Sequence, residues 1–260
     1  MRLRFLGTGA SDGWPNPWCT CRSCAAAVAD GVLRGQTSAL LDDRLLLDIG
    51  PDGPRAAARF GVSLADVDVV CVTHTHPDHH GVPAWMWRGW VDTRRPLTLV
   101  APAAVVADAR PRLDDRVTTH EVTAGASLEV AGYQLRVLPA EHRCPGEAVL
   151  YDVTGPDGTR LLWGTDTGPL SEAALAMTHG RAYDAVLLDL TSGHLDSGHL
   201  DLTTWPEQVA ALRRGGAVVD GTTLLAVHLG HDNPPPRELD AVLGGWGASA
   251  PRDGDVLDLG

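Results

Sequence analysis

Apolar and polar positions along the chain switch repeatedly between a period of two and a period near 3.6, so strands and helices interleave over its whole length. Residues 3–6 read as a short strand that stops at Gly7-Thr8-Gly9, and residues 37–41 and 45–49 as a strand pair across Asp42-Asp43. Residues 67–73 are a β-branched run of the kind that fills a buried strand. Further strands are predicted at 97–101, 117–122, 127–130, 134–139, 148–154, 160–164, 185–190, 217–219 and 224–229. The turn Gly155-Pro156-Asp157-Gly158 marks a hairpin between 148–154 and 160–164. Helices are predicted at 54–60, 79–90, 171–178 with Ser171 as cap, 203–213 and 237–243. No stretch reads as an interdomain linker and no fixed-period repeat is visible. The pattern predicts one α/β (α+β) domain over residues 1–260, with sheets covered by helices.

Composition narrows the function. With 260 residues, 44% hydrophobic and 21% charged, the chain has ample material for a core, and no apolar run reaches the length of a membrane span. Residues 1–10 hold two arginines and no apolar stretch, which argues against a secretory signal and for a cytoplasmic protein. The net charge is −12, and all 21 basic residues are arginine. That balance argues against a nucleic-acid partner held by bulk electrostatics.

Cysteine and histidine usage is more pointed. Three of the five cysteines form Cys19-x-Cys21-x-x-Cys24, and four of the 11 histidines fall at His74, His76, His79 and His80. The predicted strand 67–73 runs directly into His74-Thr75-His76-Pro77-Asp78-His79. A strand end projects alternate side chains to one side, so His74 and His76 can point together, with Asp78 and His79 following from the turn. Imidazole and carboxylate in this set suit Zn, Mn or Fe. His80 is expected to be an outer neighbour and Cys71 a core residue. Cys144, two residues beyond His142, is expected to be unliganded. The three tryptophans in Trp85-Met86-Trp87-Arg88-Gly89-Trp90 are expected to pack on the sheet rather than line a substrate wall. The cysteine knuckle at 19–24 offers three thiolates where a structural zinc takes four ligands, and His231, three residues after His228, is the candidate fourth.

The H-x-H-x-D-H motif after a buried strand resembles the metallo-β-lactamase fold superfamily, an αββα sandwich. Other landmarks follow in that superfamily's order, each at the end of a predicted strand. They are Asp48 before Gly50, His142, Asp166 in Gly164-Thr165-Asp166-Thr167-Gly168, and His228. The resemblance implies a first metal held by His74, His76 and His142, and a second held by Asp78, His79 and His228. Asp166 would bridge them, and Asp48 would tie down the metal loop. An N-terminal Gly-x-Gly turn, the knuckle, the histidine motif and the late His228-x-x-His231 together resemble the PhnP-type phosphodiesterases.

That resemblance implies two catalytic divalent metals (Zn or Mn) and one structural Zn held by Cys19, Cys21, Cys24 and His231. It implies attack of a metal-bound hydroxide on a small, cyclic phosphodiester, with Asp78 counted as catalytic as well as ligating. It also implies a homodimer. His199, before Asp201-Leu202-Thr203, resembles that family's proton donor, and His194 competes with it. Alternatives remain: a ribonuclease Z-like endonuclease, a β-lactamase or thioester hydrolase, or a non-catalytic relative of pyrroloquinoline-quinone biosynthesis protein B.

Overall fold

The computed structural model describes every residue except Thr93 and Asp196. In the first half of the chain, β1 (Arg2–Gly7), α1 (Arg22–Ala29), β2 (Ser38–Leu41), β3 (Leu45–Leu47), α2 (Gly53–Arg59), β4 (Val69–Cys71), α3 (Val82–Gly89), β5 (Leu97–Pro102), α4 (Ala103–Ala109) and β6 (Val117–Val122) follow one another. The second half comprises β7 (Ser127–Val130), β8 (Tyr133–Pro139), β9 (Val149–Thr154), β10 (Arg160–Gly164), α5 (Glu172–Thr178), β11 (Ala185–Asp189), α6 (Thr204–Arg214), β12 (Thr223–Val227), α7 (Pro236–Gly245), β13 (Ala248–Ser249) and β14 (Val256–Asp258). The described strands form two seven-stranded sheets, ordered β14-β1-β2-β3-β4-β5-β6 and β13-β12-β11-β10-β9-β8-β7.

Alternation along each strand explains why the two sheets stack. In β3, Leu45 and Leu47 point inward to the other sheet, while Leu46 points out to α2 and α3. In β10, Leu161 and Trp163 point inward and Leu162 outward, to the layer containing α5, α6 and α7. Burying both faces of each strand requires a helical layer on each outer side. The result is the αββα sandwich with one inter-sheet core and two sheet–helix cores.

Several boundaries differ from the sequence reading. The predicted strand 217–219 is a bend after α6, held by Ala217 N–H donating to the Leu212 carbonyl at 2.9 Å. Ala217 and Val218 fill the core without strand pairing, and Val219 is exposed. The predicted helix 79–90 starts only at Val82, with Pro83 in its first turn, so His79 and His80 lie in the preceding turn. Ser171 caps α5 as expected, accepting from the Ala174 N–H. Among the described residues, no helix is long and apolar enough to cross a membrane.

Strands β3, β4 and β5 are parallel, as are β10, β11 and β12, and β8 runs with β10 because both are antiparallel to β9. Their carboxyl ends therefore collect at one edge of the sandwich, and the loops leaving that edge carry the histidines and aspartates singled out above.

Candidate metal centre

Asp48 anchors the first of these loops. It sits just beyond β3 with φ of 57°, a left-handed conformation that costs energy for a residue other than glycine. Its fully buried carboxylate accepts three hydrogen bonds and faces His79 as a fourth polar neighbour. Oδ1 accepts from the Thr73 N–H at 2.8 Å and the Thr73 hydroxyl at 3.0 Å. Oδ2 accepts from Trp163 Nε1 at 3.0 Å and lies 3.0 Å from His79 Nδ1. Gly50 is required beside it, because a Cβ there would lie 1.9 Å from the Asp78 carbonyl oxygen.

The loop so fixed aims its side chains at those of three distant loops. His142 Nε2 is 2.9 Å from His76 Nδ1 and 3.4 Å from Asp166 Oδ2, and His74 Nε2 is 3.0 Å from the same oxygen. On the other side, His79 Nε2 is 3.1 Å from Asp166 Oδ2, 3.2 Å from Asp78 Oδ2 and 3.2 Å from His228 Nε2. His228 Nε2 is 3.3 Å from Asp78 Oδ2 and 3.9 Å from Asp166 Oδ2. Two donor groups result, His74-His76-His142-Asp166 and Asp78-His79-Asp166-His228, with Asp166 common to both. Asp166 and His228 share the left-handed conformation of Asp48, with φ of 55° and 57°. All seven side chains expected from the sequence meet here.

The donor chemistry fits two divalent cations. Around a tetrahedral ion with ligands at about 2.0–2.2 Å, neighbouring donor atoms lie about 3.3–3.6 Å apart; the separations here run from 2.9 to 3.9 Å, most of them a few tenths of an ångström shorter than that range. His74 Nε2 and Asp166 Oδ1 are buried with no hydrogen-bond partner, as expected of donors that await a cation. Burial pushes the Asp78 and Asp166 carboxyls up, but the neighbouring imidazoles, His228 foremost, outweigh it and hold both well below the usual range. Burial outweighs the pull of Asp166 at His142 and brings it down to about 4; it also lowers His74. Ionised carboxylates and neutral imidazoles are the protonation states that a cation needs. Burial opposes charge on His79 and His228, but the buried carboxylates around them outweigh it and push these two imidazoles up, so a cation binding there would displace their protons.

Outer contacts orient the ligands. Thr73 Oγ1 is 3.0 Å from His74 Nδ1, and Thr191 Oγ1 is 2.8 Å from His228 Nδ1. Each hydroxyl holds the Nδ1 proton and leaves Nε2 free for the cluster. Asp189, fully buried at the end of β11, is a hub: it accepts from the N–H groups of Thr167 and Thr191 and lies 2.8 Å from His199 Nδ1. His199 Nδ1 is also 3.1 Å from Asp166 Oδ1. Burial opposes the His199 imidazolium, yet the Asp189 hydrogen bond and charge outweigh it and push its pKa up to about 9. The competing His194 is exposed and joins neither donor group.

The sequence reading missed the oxygens of Thr73 and Thr191, the indole of Trp163 and the hub role of Asp189. The only signal for them was position, at or just beyond a strand end. His80 stays outside the cluster, as expected: its Nε2 accepts from Trp85 Nε1 at 3.1 Å. Trp85 is buried against the sheet, while Trp87 lies near Arg55 and Trp90 is exposed. Cys71 is buried, and Cys144 joins no donor group.

The knuckle forms a separate, closed group of Cys19, Cys21, Cys24 and His231. His231 Nδ1 lies 3.4 Å from Cys19 Sγ and 3.7 Å from Cys21 Sγ, close to the ~3.5 Å separation around a tetrahedral zinc. Cys21 caps α1, accepting from the Cys24 N–H, and this contact, with His231, pulls its thiol down to about 6. Three thiols sharing one cation would have to lose their protons, and Cys21 does so more readily than Cys24, whose thiol burial pushes up to about 12.

The family profile described as the beta-lactamase superfamily domain matches residues 43–228. Ribonuclease Z of Salinispora arenicola is 33% identical over 164 residues, 60% of this chain and 50% of that protein. Ribonuclease Z of Methanopyrus kandleri is 30% identical over 146 residues, 55% of this chain and 47% of that protein. The chain spans half or less of the length of the curated relatives it matches. Among solved structures, a diphosphatase from the PhnP family aligns with a TM-score of 0.79 and 23% identity, covering 99% of this chain and 97% of that one. Zn(2+)-bound PqqB from Methylobacterium extorquens gives a TM-score of 0.79 and 21% identity, covering 100% of both chains. On the extent of the profile match and the shared fold, this chain belongs to the metallo-β-lactamase branch of the beta-lactamase superfamily.

Proposed function

We propose that this superfamily hydrolase is a two-metal phosphodiesterase acting on a small, cyclic phosphodiester. The observation that carries the reading is His199, whose Nδ1 is held 2.8 Å from Asp189 Oδ2 at the edge of the cluster of seven candidate ligands. A phosphodiester expels an alkoxide, which needs a proton as it leaves. A thioester expels a thiolate, whose conjugate acid has a pKa near 8.5, and needs no such donor. His199 therefore favours an alkoxide leaving group.

Two divalent cations bound at the cluster supply Lewis acidity, acidifying water and offsetting negative charge on the phosphoryl oxygens. The chain's own residues do the rest. Asp48, Thr73 and Thr191 fix the imidazole orientations. Asp189 accepts from His199 Nδ1–H, so that Nε2–H is the proton available to the leaving oxygen. Asp166 Oδ2 lies between the two donor groups and sets their spacing. A cavity of about 620 Å³, lined by Ala140, Glu141, His142, Arg143, Ser197 and Gly198, opens beside His142 and suits a small molecule. Residues 19–24 supply three thiols and His231 the fourth donor of the knuckle, for which Zn is the fitting ion.

The similarity to ribonuclease Z favours a second reading, cleavage of RNA by the same chemistry. The net charge of −12 weighs against gripping a polyanion. Protein purified without added metal, then assayed with bis-p-nitrophenyl phosphate, cyclic nucleotides, cyclic phosphoribose and precursor tRNA, separates the two. Turnover of small diesters and none of tRNA is expected. Cleavage of tRNA alone would overturn the small-substrate reading, and metal-loaded protein inert to every diester would overturn phosphodiesterase activity.

A further inference from the structure

The two candidate metal centres share one short loop. His228, a donor of the second catalytic position, is separated by only two residues from His231 of the knuckle. Three residues of extended chain span at most about 10 Å, so the two histidines sit on one short segment and share its supports. The loop is held at several points. Leu229 donates from its N–H to the Thr8 carbonyl at 3.0 Å and accepts from the Ala10 N–H at 3.1 Å. The chain leaving Ala10 leads through Asp12 to the cysteines, and Asp12 Oδ2 lies 3.5 Å from His231 Nε2. His231 is thus held on one ring nitrogen by thiols and faces a carboxylate with the other.

Asn233 closes the loop from within. It is buried, and its Nδ2 faces three carbonyl oxygens, of Leu190 at 2.7 Å, Thr191 at 3.2 Å and Gly230 at 3.2 Å. Only the amide nitrogen, a donor, can sit among three acceptors, which fixes the orientation of the group. Leu190 and Thr191 belong to the segment that orients His228 through the Thr191 hydroxyl. Gly193 completes the packing with φ of 55°, and a Cβ there would lie 2.0 Å from the Asp232 carbonyl oxygen. His228 meanwhile holds a left-handed backbone conformation that the surroundings must enforce.

We propose that the knuckle, through His231 and with Asn233 as its positioning residue, holds His228 in place, so that zinc in the knuckle tightens binding at the second catalytic metal position. The proposal rests on the two-metal reading above. Loss of the knuckle ion or of the Asn233 amide frees the loop and weakens the Asp78-His79-His228 group, while the His74-His76-His142 group, carried on other loops, keeps its affinity. Outer contacts to metal ligands are worth about 10- to 100-fold in affinity, and an effect of that size is expected.

The test uses full-length protein as wild type, His231→Ala and Asn233→Ala. Metal content by elemental analysis and stepwise Zn and Mn dissociation against a chelator are measured, with thermal melts to verify folding. Both variants should lose affinity at one catalytic position by about tenfold or more. His231→Ala should lack the knuckle zinc, and Asn233→Ala should keep it. Wild-type dissociation constants at both catalytic positions in folded His231→Ala, or in Asn233→Ala should His231→Ala not fold, overturn the coupling. Failure of the underlying reading would show differently, as wild-type protein lacking a second catalytic metal.

Discussion

Replacing Asp48 with Asn tests how the metal loop is held, because it keeps shape and size while exchanging one acceptor oxygen for a donor. Each Asp48 oxygen serves two groups: Thr73 N–H and hydroxyl on Oδ1, Trp163 Nε1 and His79 Nδ1 on Oδ2. Whichever end the new amide takes, one buried donor that cannot become an acceptor, Thr73 N–H or Trp163 Nε1–H, loses its partner. An unsatisfied buried donor costs about 1–3 kcal/mol, so the substitution should cost at least about 1 kcal/mol. For a domain of this size each ~1 kcal/mol lowers Tm by about 2–4 °C, measured on metal-free protein. If the amide faces His79, the ring protonates on Nε2, the atom aimed at Asp78 and His228, and affinity at that metal position should fall about 10- to 100-fold. Thermal melts and metal competition read the two effects separately. An unchanged Tm with unchanged affinity, against the ~2 °C minimum, would refute the assignment of Asp48 as anchor.

Three further outcomes are expected. Asp78→Ala and His79→Ala should each lose one catalytic metal and most turnover while keeping the knuckle zinc, as measured by elemental analysis; wild-type turnover in both would contradict the two-metal reading. Cys21→Ser should lose one zinc per chain and melt at lower temperature, since structural zinc contributes to folding free energy; unchanged zinc and Tm would remove that role. His199→Gln should slow diesters with alkyl leaving groups by about 10²–10⁴-fold and p-nitrophenyl esters far less, because p-nitrophenolate departs without a proton. Equal losses on both substrates would argue that His199 serves the metals instead.

The clustering side chains were legible because their chemistry is concentrated: His74 to His79 lie in one motif, and Asp166 and His228 each stand at the end of a β-branched or leucine-rich run that reads as a strand. The supporting hydrogen bonds were not legible. Threonine, tryptophan and Asp189 are common beyond strands, and their roles depend on which loops meet across the two sheets. Helix α1 escaped notice because the residue that starts it, Cys21, reads first as a metal ligand, yet it also caps the helix. Helix α4, seven residues between Pro102 and Arg110 of which six are alanine or valine, is too short for a clear period. Strands β13 and β14, of two and three residues, exist only as edge pairings on β12 and β1. The strand expected at 217–219 shows the converse, an apolar run of which Ala217 and Val218 are buried by packing alone.

The most direct measurement is anomalous diffraction from crystals of protein purified without added metal, at the Zn and Mn edges. Two peaks about 3.5–4 Å apart are expected, one among His74, His76 and His142 and one among Asp78, His79 and His228, with Asp166 between them. A third, zinc, peak should lie among Cys19, Cys21, Cys24 and His231. Crystals of active protein with no peak, or a single peak, at the histidine cluster would contradict the account.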